Sequence, residues 1–277
     1  MVQRLTESVY VETSLTGANV GFIVTSEGII MVDAPLLPTE ASAWLREVSE
    51  YGQIRYIINT DHHRDHALGS TFFPGVVIAH KMTRRRLVLS ERAIEQLRAF
   101  LTDADPEGAQ MAAEYRPKLP GITFSRKLTL YSGRHIIQLI HLPGHTPNTI
   151  GVYLPQEKAL FAGDSLVNGQ RPFLGQANTA SWLKTLERIK AMDVEVMIPG
   201  HGAPCGKEAL EDLANYIRQV RQQVAAAIAK GLSKEETIQA VDLLDWFPLD
   251  TTKGKEERQS YRVGIGRVYE EILAAGG

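Results

Sequence analysis

The sequence predicts an α/β (α+β) chain in which two sheets pack face to face with helices on the outside. Two observations carry this expectation. Strand-like and helix-like runs occur in two successive blocks, and in each block polar clusters follow the strands. From Lys207 onward only helical spacing remains, which predicts a C-terminal helical extension. The 277-residue length is enough to bury a full core, and we divide it into a main unit, 1–204, and an extension, 205–277.

The first third alternates β-rich runs with turns, at Ser8 to Glu12, Asn19 to Thr25 and, after the Ser-Glu-Gly turn, Gly28 to Val32. Pro38 and Thr39 open a helix with Ala43, Leu45 and Val48 on one side, ending before Gly52. Ile54 to Asn59 reads as a buried strand, and Val76 to Ala79 as another. A helical region follows from about Met82 to Tyr115, with Ile94, Leu97, Phe100 and Leu101 at helical spacing and Pro106 dividing it. Its basic start, Lys81 with Arg84, Arg85 and Arg86, reads as a solvated face. Strands return at Ile122 to Phe124, Leu128 to Tyr131, His135 to Leu142, Ile150 to Leu154 and Ala159 to Phe161. A helix from Thr179 to Met192 and a strand from Val194 to Ile198 complete the second block.

In the extension, Leu210, Leu213, Ile217, Val220 and Val224 form one apolar stripe. Ser233 and Glu236 have capping-box spacing for a second helix, and Tyr261, Ile265, Val268, Tyr269 and Ile272 mark a third. Asp250 to Arg258 reads as a polar connector. Such stripes call for docking, either on the main unit or on another subunit, so a homo-oligomer through these helices is one expectation.

With 30 Lys and Arg against 32 Asp and Glu, composition offers no global case for nucleic acid or an anionic membrane surface. The partner expected is a small-molecule substrate. The single cysteine, Cys205, excludes an intramolecular disulfide framework. The start of the chain lacks an apolar leader core, and no apolar run approaches the ~18 residues of a membrane span. A soluble, cytoplasmic protein is the expectation.

Four separated clusters carry metal-binding residue types, each after an expected strand. They are Asp61-His62-His63-Arg64-Asp65-His66, Gly144-His145-Thr146-Pro147, Gly163-Asp164-Ser165 and Pro199-Gly200-His201-Gly202. A lone histidine is more often structural, and His80 and His141 are read so. The first cluster is different, because its carboxylates and imidazoles crowd a buried strand end, where a cation relieves the cost of burying them.

The combination and order resemble the metallo-β-lactamase superfamily, whose first motif usually reads His-x-His-x-Asp-His and is followed by Gly-His-Thr, Gly-Asp and Gly-His. The resemblance covers residues from about 8 to 204. It implies an αββα sandwich with a dinuclear centre of two divalent metal ions, zinc first, with manganese and iron as alternatives. It also implies that His63 and His145 bind one ion, that Asp65, His66 and His201 bind the other, and that Asp164 bridges them. Asp33 resembles the aspartate that supports such a site from behind, with a plain strand-end turn residue as the alternative.

Position 61 departs from the pattern, since the first histidine is an aspartate. Three readings stand: Asp61 is itself a ligand, it falls short and leaves the first site weak, or His62 takes its place. A carboxylate ligand adds negative charge and shifts preference toward harder metals.

The function implied is a metallohydrolase using metal-bound hydroxide on a small ester, thioester, lactone or lactam, with Asp65 as the catalytic group that orients the nucleophile and passes on a proton. The alternatives are a non-haem iron redox or oxygenase-type protein and a catalytically weak binding or regulatory protein. The loop after Asp164 offers Arg171 and Phe173 as anion-binding and apolar contacts, with a surface arginine beside a core-packing phenylalanine as the alternative. Cys205, Trp182 and Trp246 are read as packing residues.

Overall fold

A computed structural model of the chain describes residues 2–244, 246–247 and 254–276. Its first sheet has seven strands in sequence order. They are β1 (Gln3–Arg4), β2 (Val9–Glu12), β3 (Val20–Thr25), β4 (Gly28–Val32), β5 (Ile54–Asn59), β6 (Val76–His80) and β7 (Ile122–Phe124). The hairpin strands β1 to β4 pair antiparallel, and β4 to β7 pair parallel. The parallel half needs helical crossovers, which α1 (Pro38–Ser49), α2 (Arg64–Ala67), α3 (Lys81–Arg86), α4 (Glu91–Ala104) and α5 (Ala109–Ala113) supply.

The second sheet has five strands in the order β12-β11-β10-β9-β8. These are β8 (Lys127–Ser132), β9 (His135–His141), β10 (Ile150–Leu154), β11 (Ala159–Val167) and β12 (Val196–His201). All its neighbours pair antiparallel except β11 with β12, which run parallel across α6 (Thr179–Lys190). The extension forms α7 (Glu208–Ala229), α8 (Lys234–Ala240) and α9 (Gly254–Gly276).

Alternation of side chains along the strands divides the core into layers. Val11, Ile23, Val32 and Ile58 of the first sheet meet Leu139, Val152, Phe161 and Ile198 of the second. The opposite face of the first sheet, with Phe22, Met31 and Ile57, packs on Trp44 and Val48 of α1. The opposite face of the second, with Leu160 and Ala162, packs on Trp182, Leu213, Val220 and Ile265 of α6, α7 and α9. The result is the expected order of helix, sheet, sheet, helix, and the apolar stripes of the extension are used within the chain.

Three expectations are corrected. The 82–115 helical region breaks before Ser90 as well as at Pro106, because Ser90 accepts from the Ala93 N–H and caps a new helix. Strands β11 and β12 continue through the Gly-Asp and Pro-Gly-His clusters, with bulges on either side of Gly163. The connector expected at 250–258 is helical from Gly254, as the start of α9, while 250–253 lies outside the described residues.

Candidate metal centre

Strand β5 ends at Asn59, and the chain then turns into α2 with His63 as its N-cap residue. Asp65 and His66 follow as successive residues of this one-turn helix. His201 is the last residue of β12, Asp164 lies within β11, and His145 sits in the loop between β9 and β10. Both sheets therefore deliver ligand-type side chains to one edge.

The side chains gather as two groups. Asp61, His63 and His145 each offer an atom within 4.8 Å of the others, and Asp65, His66 and His201 do the same. Asp164 joins the groups: its Oδ2 lies 3.1 Å from His145 Nε2, and its Oδ1 lies 3.3 Å from His66 Nε2 and 3.5 Å from His201 Nε2. His63 Nδ1 and His145 Nε2 are 3.1 Å apart, and His201 Nε2 is 3.3 Å from Asp65 Oδ2.

Whether these residues fit metal ions is tested by their unused atoms. His66 Nε2 and Asp164 Oδ1 are buried, close to each other, and without a hydrogen-bond partner. A buried carboxylate oxygen and imidazole nitrogen left unmatched are costly unless a cation accepts both lone pairs. The rear nitrogens are pinned in the orientation such ligands need. His66 Nδ1 pairs with Asp33 Oδ2 at 2.8 Å, and His145 Nδ1–H donates to the Phe173 carbonyl at 3.1 Å. The residues fit.

Asp33 is thus more than a turn residue. It adopts φ 57°, and its carboxylate also accepts from Thr60 N–H at 2.7 Å and from the Thr60 hydroxyl at 2.6 Å. Gly200 is required here, since a Cβ at that position would lie 1.9 Å from Asp164 Oδ1. Asn19 clamps the same turn by donating to the carbonyls of Pro199 and Gly202 at 2.9 and 2.7 Å.

Asp61 is fully buried and heavily engaged. Its Oδ2 accepts from Thr146 and Thr149 hydroxyls, both at 2.7 Å, and its Oδ1 accepts from the backbone N–H groups of His62 and His63. His62 Nδ1 also lies 2.9 Å from Oδ1, so this imidazole leans on Asp61 rather than replacing it among the grouped side chains. Burial opposes ionisation of Asp61, yet the His62 contact and the surrounding imidazoles hold its carboxyl well below the usual range. Burial likewise opposes charge on Asp164, and His66, His201 and His145 overcome it to lower its pKa. Burial pushes His63 down to about 4 in spite of Asp61.

The remaining expected residues divide. Phe173 reaches the site, with its ring centroid 5.9 Å from His63 and 6.2 Å from His145. Arg171 turns away and pairs with Glu257 of α9 at 3.5 Å. His80 and His141 stack on each other 4.5 Å apart, outside both groups. The Cys205 thiol is pushed up to about 11 by burial and stands outside them too. Trp182 is buried and supports the centre, donating its indole N–H to the Ser165 carbonyl at 2.8 Å with its ring 5.3 Å from His145. Trp246 is partly exposed at the edge of Tyr216. Thr146 and Thr149 were missed in the sequence, where only their closeness to His145 pointed to them.

The model of the family described as the metallo-beta-lactamase superfamily matches residues 14–201. A linear primary-alkylsulfatase of Pseudomonas sp. (strain ATCC 19151) is 24% identical over 91% of this chain and 55% of its own length. The chain therefore spans about half the length of that relative. A metallo-beta-lactamase type 2 of Bacteroides fragilis is 25% identical over 79% of this chain and 85% of its own. Among solved structures, a metallo-beta-lactamase family protein from Thermus thermophilus superposes with a TM-score of 0.71 at 19% identity, covering 99% of this chain and 95% of that one. At this identity the superposition shows a shared fold.

Proposed function

The chain belongs to the metallo-beta-lactamase superfamily, and we propose that it is a metal-dependent hydrolase with a dinuclear centre acting on a small ester, thioester, lactone or lactam. The observation that carries this reading is the position of Asp164, with one oxygen facing His145 and the other facing His66 and His201. A single carboxylate set between two groups of three is suited to two cations rather than one.

Asp61, His63 and His145 would hold one ion, Asp65, His66 and His201 the other, and Asp164 would bridge. Zinc is the first expectation, and the oxygen donor at Asp61 makes manganese and iron compatible. Two divalent cations, when bound, supply the Lewis acidity that brings a water's pKa toward neutrality and polarises the substrate oxygen.

The protein's own residues do the rest. Asp33 and the Phe173 carbonyl fix the His66 and His145 rings. Asp65 is held beside His201 at 3.3 Å with an exposed flank, so its carboxylate is placed to orient the attacking water and pass a proton to the leaving group.

The test is metal analysis of protein purified without added metal, with turnover measured on ester, thioester, lactone and lactam substrates and on alkyl sulfates. Alkyl sulfates enter because one relative is an alkylsulfatase. Two ions per chain and chelator-sensitive hydrolysis are expected. A coloured, iron-loaded protein without hydrolysis would favour the redox reading, and tight binding without turnover on any substrate would favour a regulatory one.

A further inference from the structure

The loop Arg171-Pro172-Phe173-Leu174-Gly175 connects the metal centre to the C-terminal helices in a way that the hydrolytic reading does not use. At one end Arg171 is almost fully buried, at 7% side-chain exposure. Its guanidinium donates to the Phe247 carbonyl, pairs with Glu257 and lies 5.3 Å over the Tyr261 ring. Its two terminal nitrogens are committed to the Phe247 carbonyl and Glu257, and only the buried Nε is left without a partner, so the head of this arginine is held away from the metal centre. It fastens the loop to α9.

At the other end the Phe173 carbonyl accepts from His145, while the ring remains 36% exposed against the His63 and His145 imidazoles. Next to it, Gly175 has no side chain, and its absence lets two apolar groups converge. A Cβ at Gly175 would lie 2.3 Å from Phe173 Cζ and 3.0 Å from a Val263 methyl. Val263 belongs to α9 and is 44% exposed. An exposed apolar strip therefore runs from the imidazoles, over Phe173, to Val263. Beyond Val263 the strip ends at a cavity of about 450 Å³ between α8 and α9, whose other walls are mostly polar, with Lys234, Glu235, Arg262 and Glu270 among them. Exposed apolar surface continuous with a polar centre is the usual form of a ligand-orienting wall.

We propose that Phe173 and Val263 form the wall that selects an apolar alkyl or aryl substituent on the substrate, and that Arg171 is the positioning residue through which the C-terminal helices set that wall. This rests on the hydrolytic reading for the reacting group alone. The substituent that fits this strip is a hydrocarbon chain or ring extending from the metal centre toward α9.

The experiment measures calorimetric binding of n-alkanoates from acetate to octanoate to the full metal-loaded chain, beside turnover of p-nitrophenyl acetate and hexanoate. A half-open wall gives about twofold tighter binding per methylene, roughly sixty-fold over the six methylenes from acetate to octanoate. Val263→Asp and Gly175→Ala, which pushes the Phe173 ring aside, should cut that ratio about tenfold. Arg171→Met should lower it as well although it removes no wall atom, and a loss of stability alone would leave the ratio unmoved. A wild-type ratio near one, or a ratio unchanged in Val263→Asp, overturns the proposal. A chain-length dependence in a protein that turns over neither ester, nor any thioester, lactone or lactam, leaves the wall standing and sinks the hydrolytic reading instead.

Discussion

Thr149 donates its hydroxyl hydrogen to Asp61 Oδ2 at 2.7 Å, tying the loop that carries His145 to the turn after β5 that carries His63. Thr146 donates to the same oxygen at 2.7 Å, so the unusual carboxylate is also the knot between two ligand loops. A histidine at position 61 could not accept all of these hydrogens.

Replacing Asp61 by alanine should thus damage two things at once. Two hydroxyls and two backbone N–H groups lose their acceptor, and with partial rescue by water the cost is about 3 kcal/mol. Denaturant unfolding of metal-free protein reads this. Metal content reads the other effect, with the first site expected to empty while the second stays filled. Retention of two ions and full stability in Asp61→Ala would show that Asp61 is neither ligand nor knot.

Asp33→Asn keeps the shape but weakens the acceptor of His66 Nδ1–H. Groups of this kind behind a ligand histidine are worth roughly 10–100-fold in metal affinity or activity. Competition with a chelator should show a loss of that order confined to one of two ions. Equal loss of both, or of neither, would contradict the assignment of His66 to a separate site.

The four clusters and the strands before them were legible because short β-rich apolar runs and crowded ligand types are local signals. The stripe of α7 was legible for the same reason, and its residues are buried as the spacing implies. What was not legible depends on distant partners. β11 and β12 run past their expected ends because parallel pairing with bulges carries the strands through Gly163 and the Pro199-Gly200 pair. Thr149 is bonded to a residue 88 positions away, and the direction of Arg171 is decided by Glu257, 86 positions away. No local pattern encodes either choice.

Acid stability should depend on the pair His80 and His141. Burial pushes His80 down to about 4, with His141 adding to the shift, and burial lowers His141 too. The folded state therefore binds fewer protons than the unfolded chain, whose histidines titrate near ~6.5. The stability associated with neutral His80 is complete above that pH and is lost as pH falls from about 6.5 to about 4. His80 Nε2–H donates to the Ser125 carbonyl and His141 Nε2–H to the Pro147 carbonyl, at 3.0 and 2.9 Å. His80→Gln keeps a donor without a titrating ring, so its unfolding midpoint should vary less with pH in this window. A variant with the wild-type slope would exclude His80 as the source.

Glu271 of α9 is buried and accepts from Thr179 N–H, its hydroxyl and Ala180 N–H, at 2.7, 2.8 and 2.9 Å. It also pairs with Arg221 of α7 at 2.7 Å. Burial opposes its charge, but the first N–H groups of α6 and the guanidinium lower its pKa. Glu271→Ala leaves the Arg221 charge and the helix end unmatched and should cost about 3 kcal/mol. Thermal unfolding checks this, and a shift under about 1 kcal/mol would mean that water replaces the carboxylate without loss.

Asp61, His63, Asp65 and His66 come from the end of the seven-stranded sheet, while His145, Asp164 and His201 come from the five-stranded one. An ion held among them is a stitch across the seam between the two halves of the molecule. Its strength is set from outside, because a bound ion stabilises the folded chain in proportion to the logarithm of its free concentration, about 4 kcal/mol at a thousandfold excess over Kd. The melting temperature then becomes a gauge of metal supply, and starvation for the ion should expose the chain to proteolysis.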